Sequence, residues 1–230
     1  SPLAARVGET VVTGLPLRSA IADLANRRAT SEGAAQARRE AAERLGVDPE
    51  APTLLVTGGS LGALHVNESM TGGADALPEG AQVVHLTGRG KDEPVRAAVE
   101  AAGLSDRWHV IDYLTTMEDA LAVADLVVCR SGAGTVAEME ALGLPCIYVP
   151  LPIGNGEQRL NAKDHVEAGG AQLIDDKDFT ADFVRSNVFP LLGSTRLAEM
   201  AAASQSLGRA GAARALADLA LAQVKEDGHE

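Results

Sequence analysis

Aromatic residues are scarce in this sequence, because Phe, Trp and Tyr together make up 3% of its 230 residues. Proteins that bind single-stranded nucleic acid stack its bases on such side chains, so this shortage argues against that function. Basic residues are also few: 20 Lys and Arg stand against 32 Asp and Glu, for a formal net charge of −12. A surface of that sign repels a phosphate backbone, and we expect no nucleic-acid partner.

Cysteine is nearly absent, and both occurrences, Cys129 and Cys146, lie in apolar runs. They fit small buried side chains in a reducing compartment better than a disulfide framework, which predicts a cytoplasmic protein. No stretch reaches the roughly 18 consecutive apolar residues of a membrane span, and we expect no signal peptide. His and Cys lack metal-ligand spacing, and Asp176 and Asp178 are interpreted as turn and helix-cap residues, so no metal site is predicted.

The sequence does contain 46% apolar residues, enough for a substantial core. Short β-branched runs alternate with Ala-rich helical stretches, which is typical of parallel βαβ units. Because the runs are apolar without alternation, we expect an α/β fold with a Rossmann-like open parallel sheet and helices on both faces. The predicted strands cover residues 53–57, 82–87, 108–111, 126–129, 146–149 and 171–174.

Helix boundaries follow from Gly, Pro and capping residues. We predict helices at residues 32–45, 63–77, 91–102, 115–123, 135–142, 158–168 and 180–192, and Ala-rich helix from 195 to 224. The last stretch is expected to break near Gly208 or Gly211. Residues 1–17 are interpreted as a lead-in segment with a short strand at 11–13, residues 18–206 as one domain, and residues 207–230 as a C-terminal helix with a frayed end.

The loop after residue 57 reads Gly58-Gly59-Ser60-Leu61-Gly62 and opens a helix. Ligands of open parallel sheets bind beyond the carboxyl ends of the strands. The glycines let the backbone approach a ligand closely, the new helix attracts an anion, and the Ser60 hydroxyl adds a donor. The spacing differs from the dinucleotide fingerprint, and the alternative interpretation is a tight turn without a ligand.

A second such loop follows the strand at 126–129. Its candidate residues are Arg130, Ser131, Gly132, Ala133, Gly134, Thr135, Val136, Ala137 and Glu138. The free N–H groups of the helix start suit a diphosphate, and Glu138 suits vicinal ribose hydroxyls. The alternative for Glu138 is an acid favoured only by the helix dipole. Two loops of this kind in one sheet favour binding of a nucleoside diphosphate.

A third segment, residues 150–162, is rich in Pro, Gly and amides. Glu157, Gln158 and Asn161 have side chains that hydrogen-bond sugar hydroxyls, although a surface loop that caps the next helix is the alternative. The chain offers no convincing nucleophile or general base, so we predict no catalytic residue in it.

Together these motifs closely resemble the MurG family of glycosyltransferases, in its actinobacterial form. The matching segments are GLPLR at 14–18, GGSLGA at 58–63, VVCRSGAGTVAE at 127–138 and LPIGNGEQRLNA at 151–162. Members of this family have a two-domain GT-B fold and transfer GlcNAc from UDP-GlcNAc to lipid I, which forms lipid II for peptidoglycan. The resemblance implies the donor-binding C-terminal domain of an inverting enzyme without metal or cofactor. It also implies that the N-terminal acceptor domain, with its proposed catalytic histidine and membrane surface, is absent.

The resemblance also implies a role for each candidate residue. Arg18 and the backbone of Leu114 would meet the uracil, Glu138 the ribose and Gln158 the GlcNAc hydroxyls. Ser60 and the loop from Ala133 to Thr135 would meet the phosphates. The further candidates are Gly59, Gly62, Arg130, Ser131, Gly132, Glu157 and Asn161.

The sequence departs from the family pattern at two positions. Gly134 replaces a usual Leu or Met, and Glu157 stands where Gln is common. Two alternatives remain open: a donor-binding subunit of a two-chain GlcNAc transferase, and another GT-B enzyme such as a UDP-sugar 2-epimerase or a natural-product glycosyltransferase. For the whole enzyme, the resemblance implies a peripheral location on the cytoplasmic face of the membrane.

Overall fold

The computed structural model describes residues 14–59, 62–153, 155–208 and 217–219. In these residues one sheet contains the strands β1 (Thr53–Thr57), β2 (Gln82–Leu86), β3 (Trp108–Ile111), β4 (Leu126–Cys129), β5 (Cys146–Tyr148) and β6 (Ala171–Leu173). All neighbouring strands are parallel, and their order is β3-β2-β1-β4-β5-β6. This is the strand order of the doubly wound Rossmann arrangement, so the predicted fold class is confirmed.

Helices cover both faces of the sheet. They are α1 (Ser19–Arg28), α2 (Ser31–Leu45), α3 (Leu64–Gly72), α4 (Asp92–Ala101), α5 (Met117–Val123), α6 (Ala133–Leu142), α7 (Glu157–Asn161), α8 (Lys163–Glu167), α9 (Ala181–Phe183) and α10 (Thr195–Gln205). Short 3-10 turns span Ala74–Ala76, Asp176–Asp178 and Phe189–Leu191, and Val184–Val188 is a π-helical turn.

The core has two parts, one on each face of the sheet. All five residues of β1 are buried; Leu54 and Val56 belong to one part, and Leu55 to the other. The first part is completed by α3, α4 and α10, and the second by α1, α2, α5 and α6. Burial on both faces explains why the strands are apolar without alternation. Cys129 and Cys146 are buried free thiols in the second part, as predicted.

Helix α1 was not predicted from the sequence. It packs against α2 and α6, and buries Ile21, Leu24 and Ala25. The residue before it, Arg18, makes no side-chain cap, so the usual signal of a helix start is missing. Its position beside α6 brings Arg18 to the carboxyl edge of the sheet.

Three predicted helices differ markedly in extent from those in the structure. The helix predicted over 63–77 ends at Gly72, and a Cβ on Gly73 would lie 2.8 Å from Val184, so this turn packs too closely for a longer side chain. The helix predicted over 158–168 is divided into α7 and α8. The helix predicted over 180–192 becomes α9, the π turn and the 3-10 turn, because Pro190 has no N–H to continue a helix.

Several predictions lie outside the described residues: the strand at 11–13, Ser60 in the glycine loop, and most of the tail beyond Gly208. In the part of the chain that the structure describes, no helix has the length and apolar character needed to cross a membrane. The same part contains no group of three or more His, Cys, Asp or Glu arranged to hold a metal ion.

Candidate functional site

The order of the strands reverses between β1 and β4, which lie side by side with Thr57 opposite Cys129. The loops that follow these two strands diverge at the carboxyl edge of the sheet, and such a point is where ligands of this fold bind. A cleft of about 220 Å³ opens there. The predicted site residues that line it are Arg18, Gly59, Leu114, Arg130, Thr135 and Glu138.

The glycine loop after β1 has a steric need for glycine. Gly59 and Gly62 have φ of +80° and +65°, and the N–H of Gly62 donates to the carbonyl of Gly59 over 2.9 Å. A Cβ on Gly62 would lie 2.1 Å from the carbonyl oxygen of Thr87. These glycines form a tight turn, and Gly59 also lines the cleft, so the turn lies where a ligand of this fold would bind.

The helix start after β4 is open to a ligand. Gly132 precedes α6 with an extended backbone, and no side chain caps the helix. The helix begins at Ala133 instead of the predicted residue 135, so Ala133, Gly134 and Thr135 form its first turn. A Cβ on Gly134 would meet nothing within 4 Å among the described residues. Thr135 lines the cleft, whereas Ala133 and Gly134 do not, and no side chain caps the first N–H groups of α6, which an anion site requires to be unoccupied.

Two predicted residues of α6 take no part in this opening. Val136 is buried in the core, and its N–H donates to the carbonyl of Gly132 over 2.9 Å. Neither Val136 nor Ala137 lines the cleft. Ser131 is fully buried below the loop, and among the described residues its hydroxyl has no hydrogen-bond partner.

An ion pair crosses the mouth of the cleft. Arg18 donates from Nε and from Nη2 to the same oxygen of Glu138, Oε1, over 3.0 and 2.9 Å. The Glu138 side chain is 15% exposed and that of Arg18 is 58% exposed. The arginine therefore orients the carboxylate while Oε2 of Glu138 stays outside the Arg18 contact. A pair whose arginine is this exposed adds little to stability.

Gln158 and Asn161 join the third segment to the loop after β4. The Gln158 Oε1 accepts from the N–H of Leu151 over 2.9 Å and from the N–H of Ser131 over 3.3 Å. The Asn161 Nδ2 donates to the carbonyl of Ser131 over 3.1 Å. Because backbone N–H groups hold the oxygen of Gln158, its NH₂ group is the end left to a ligand. Glu157 and Gln158 line a groove of about 510 Å³ next to the cleft.

Two residues that line the cleft were not predicted from the sequence. Asp112 and Tyr113 line it beside Leu114, just after β3. The guanidinium of Arg89 lies 3.7 Å from the centre of the Tyr113 ring, in a cation–π contact. Their position directly after strand ends at the carboxyl edge was the signal that could have identified them.

A series of buried hydrogen bonds ends at the backbone group against which the glycine loop packs. Trp108 Nε1 donates to His85 Nδ1 over 3.2 Å, and His85 Nε2 lies 3.0 Å from Asn67 Oδ1, which requires a neutral imidazole with its proton on Nε2. Burial lowers the pKa of His85 to about 3, in agreement with that form. Asn67 Nδ2 donates over 3.1 Å to the carbonyl of Thr87, the group against which Gly62 packs.

The interpretation of Asp176 and Asp178 as turn residues is confirmed, because they belong to a 3-10 turn, but their assignment as caps is wrong. The cap of α9 is Thr180, whose hydroxyl accepts from the N–H of Phe183 over 3.2 Å. The Asp176 side chain instead pairs with Arg130 and His65.

Comparison with known proteins gives a consistent family. Residues 53–220 match the model of the glycosyltransferase family 28 C-terminal domain. The chain is 48% identical over 219 residues to the UDP-N-acetylglucosamine--N-acetylmuramyl-(pentapeptide) pyrophosphoryl-undecaprenol N-acetylglucosamine transferase of Bifidobacterium longum, covering 89% of this chain and 55% of the relative. It is 45% identical to the protein of the same name from Streptomyces coelicolor, covering 85% of this chain and 51% of that relative.

Solved structures agree with this match. MurG of Acinetobacter baumannii superimposes with a TM-score of 0.68 at 28% identity, over 78% of this chain and 52% of that one. A putative UDP-N-acetylglucosamine 2-epimerase from Listeria monocytogenes, at 21% identity and a TM-score of 0.59 over 80% of this chain and 47% of that one, shares the fold. The chain spans about half the length of the curated relatives it matches.

Proposed function

Because the chain belongs to the glycosyltransferase family 28 C-terminal domain family, we propose that it is the donor-binding half of an N-acetylglucosaminyltransferase of the MurG type. It binds UDP-GlcNAc, and the whole enzyme transfers the sugar to lipid I to form lipid II. The observation that carries this proposal is the convergence of an uncapped helix start, an oriented carboxylate and an oriented amide at the switch point.

Each part of the donor has a matching group in the cleft or in the groove beside it. The carboxylate of Glu138 accepts hydrogen bonds from the two ribose hydroxyls. Arg18 must then release Oε1 of Glu138, or donate to it together with one hydroxyl. The first turn of α6, with the Thr135 hydroxyl, holds the diphosphate. The NH₂ group of Gln158 donates to a GlcNAc hydroxyl, and the backbone of Leu114 meets the uracil.

The chemistry of transfer divides between two domains. A base in the acceptor domain takes the proton of the muramoyl 4-hydroxyl, whose oxygen then bonds to C1 of GlcNAc. The bond from C1 to the diphosphate oxygen breaks, and UDP leaves with the electron pair. The positive end of α6 stabilises the charge that develops on UDP, so we expect transfer to need no metal ion.

Exposed apolar side chains support a partner at the carboxyl edge. Among the described residues, the large hydrophobic side chains that are exposed on segments of this edge are Leu15, Leu64, Tyr113, Leu151, Ile153 and Leu160. Tyr113 lines the cleft, and Leu151 and Ile153 line the groove beside it; apolar surface left exposed beside a binding site is typical of an interaction surface. We assign this surface to the acceptor domain, which brings lipid I, and we expect the whole enzyme on the cytoplasmic face of the membrane.

A thermal-shift titration tests the proposal. A ligand that binds only the folded state at a hundredfold excess over Kd adds about 2.7 kcal/mol, or roughly 5–11 °C for a domain of this size. UDP-GlcNAc and UDP should raise the melting temperature, with or without EDTA, and ADP should not. Equal shifts by UDP-glucose and UDP-GlcNAc would favour another GT-B enzyme, and no shift by any uridine nucleotide would contradict donor binding. The chain alone should make no lipid II.

A further inference from the structure

One carboxylate lies where three loops of the candidate site meet. Asp176 follows β6, and its side chain is 14% exposed. Its Oδ1 pairs with Nη1 of Arg130, and its Oδ2 lies 3.1 Å from Nδ1 of His65. Asp176 does not line the switch-point cleft itself, although Arg130 does.

The two partners of Asp176 belong to different segments of the chain. Arg130 directly precedes Ser131 and Gly132, the residues that lead into α6. Its Nη1 also donates to the carbonyls of Val149 and Pro150, over 3.0 and 3.1 Å, where the third segment begins. His65 is the second residue of α3, which follows the glycine loop.

We propose that Asp176 is a positioning residue that fixes the relative placement of the glycine loop, the loop after β4 and the third segment. Its effect on a ligand rests on the function proposed above. The other acceptors of Arg130 are neutral carbonyls, so Asp176 supplies the opposite charge for a guanidinium that is 14% exposed. Because this guanidinium is largely shielded from water, loss of the opposite charge beside it is expected to be costly in free energy.

The neighbouring acids do not share this role. Asp175 pairs with Arg159, and both side chains are about half exposed. Asp178 is exposed in the same 3-10 turn as Asp176. Asp178 is therefore a matched control for a change of charge in this turn.

The first test needs no ligand. Asp176→Asn keeps the shape and removes the charge, and Asp178→Asn is the control. We expect amide hydrogen exchange to rise about tenfold in residues 130–136 and at Val149 and Leu151 of Asp176→Asn, since lost anchoring lowers the free energy of local opening. Residues 31–45 should be unchanged, and the control should match the wild type. Unchanged exchange in residues 130–136, Val149 and Leu151 would overturn the proposal.

The second test measures affinity by calorimetry. Asp176→Asn should weaken UDP-GlcNAc about tenfold and leave uridine unchanged, because the loops it holds meet the phosphates and the sugar. An equal loss for both ligands would indicate a general structural effect and overturn the proposal. If the wild type binds no UDP-GlcNAc, the proposed function fails, and the exchange experiment still decides the role of Asp176.

A third variant covers the case in which Asp176→Asn fails to fold. His65→Ala removes the contact to Oδ2 at a side chain that is 40% exposed, so the fold should survive. Exchange should then rise about threefold in residues 64–68 at the start of α3. Exchange equal to that of the wild type would contradict a positioning role.

Discussion

An arginine at the amino edge of the sheet and an arginine at the carboxyl edge differ in their hydrogen bonds and in their exposure. At the amino edge, Arg38 donates from Nη1 and Nη2 to the two oxygens of Asp125, each over 2.9 Å. It also donates to the carbonyls of Pro49 and Ala51, over 2.6 and 2.8 Å. At the carboxyl edge, Arg18 contacts one oxygen of Glu138 and is 58% exposed, against 21% for Arg38. The first arginine is satisfied by the protein, and the second keeps hydrogen-bonding capacity for a ligand.

The larger of two cavities lies at the amino edge of the sheet, away from the proposed donor site. The groove between α2 and α10 at the amino edge has a volume of about 570 Å³, against about 220 Å³ for the cleft at the switch point. Its lining includes Arg38 and Asp125, which already form hydrogen bonds with each other. The uncapped helix start and the oriented side chains, and not cavity volume, are therefore the grounds on which we propose the site at the carboxyl edge.

The largest expected effect comes from Gly62→Ala at the carboxyl edge. The new Cβ would lie 2.1 Å from the carbonyl of Thr87 at a positive φ, so backbone must move. We expect a loss of about 3 kcal/mol in the free energy of unfolding and weaker donor binding. Gly80→Ala is the control, because φ is also positive there but no described atom lies within 4 Å, and it should cost about 1 kcal/mol. Equal costs in urea unfolding would contradict the steric argument.

Glu138→Ala should break binding without breaking the fold. Removal of an ionised acceptor for two hydroxyls should weaken UDP-GlcNAc about 100-fold, or about 2.7 kcal/mol, with the melting temperature of the free protein nearly unchanged. The control is Glu93→Ala, an exposed acid in the first turn of α4. A Kd of Glu138→Ala within threefold of the wild-type value, measured by calorimetry, would show that Glu138 does not bind the donor.

The amino edge should respond in the opposite way. Asp125→Asn removes the charge that pairs with Arg38, and we expect a loss of about 2 kcal/mol in stability, less than for a fully buried pair. Donor affinity should stay within twofold of the wild type. Weaker donor binding in a variant that remains folded would show that the two edges are coupled.

The smallest effect is a loss of stability in mild acid, which comes from two buried histidines, His85 on β2 and His165 on α8. Burial lowers the pKa of His85 to about 3 and that of His165 to about 4, so the unfolded chain binds the extra protons below about pH 6.5. Stability is thus complete above that pH and falls as the pH drops. Between pH 7 and 6 the two residues together should cost about 1 kcal/mol. Unfolding midpoints that stay level over this range would contradict neutral, buried imidazoles.

The sheet was predictable from sequence because burial on both faces leaves its mark in each strand separately. The runs that became β1, β3 and β4 have the predicted boundaries. The cleft loops were predictable because small residues directly follow strands. Contacts between distant segments could not be predicted from the sequence. Arg18 and Glu138 are 120 positions apart, and Asp176 and Arg130 are 46 apart. Nothing local in the sequence marks such pairs, and for the same reason Asp176 was interpreted as a cap.

The most direct test of the account is an amide NMR titration of the isotope-labelled chain with UDP-GlcNAc. We expect the amide signals of Leu114, residues 131–135 and Gln158 to shift with one common Kd, and those of Arg38, Asp125 and Ser194 at the amino edge to stay in place. Shifts confined to the amino edge, or no saturable shift at the first turn of α6, would contradict a donor site at the switch point.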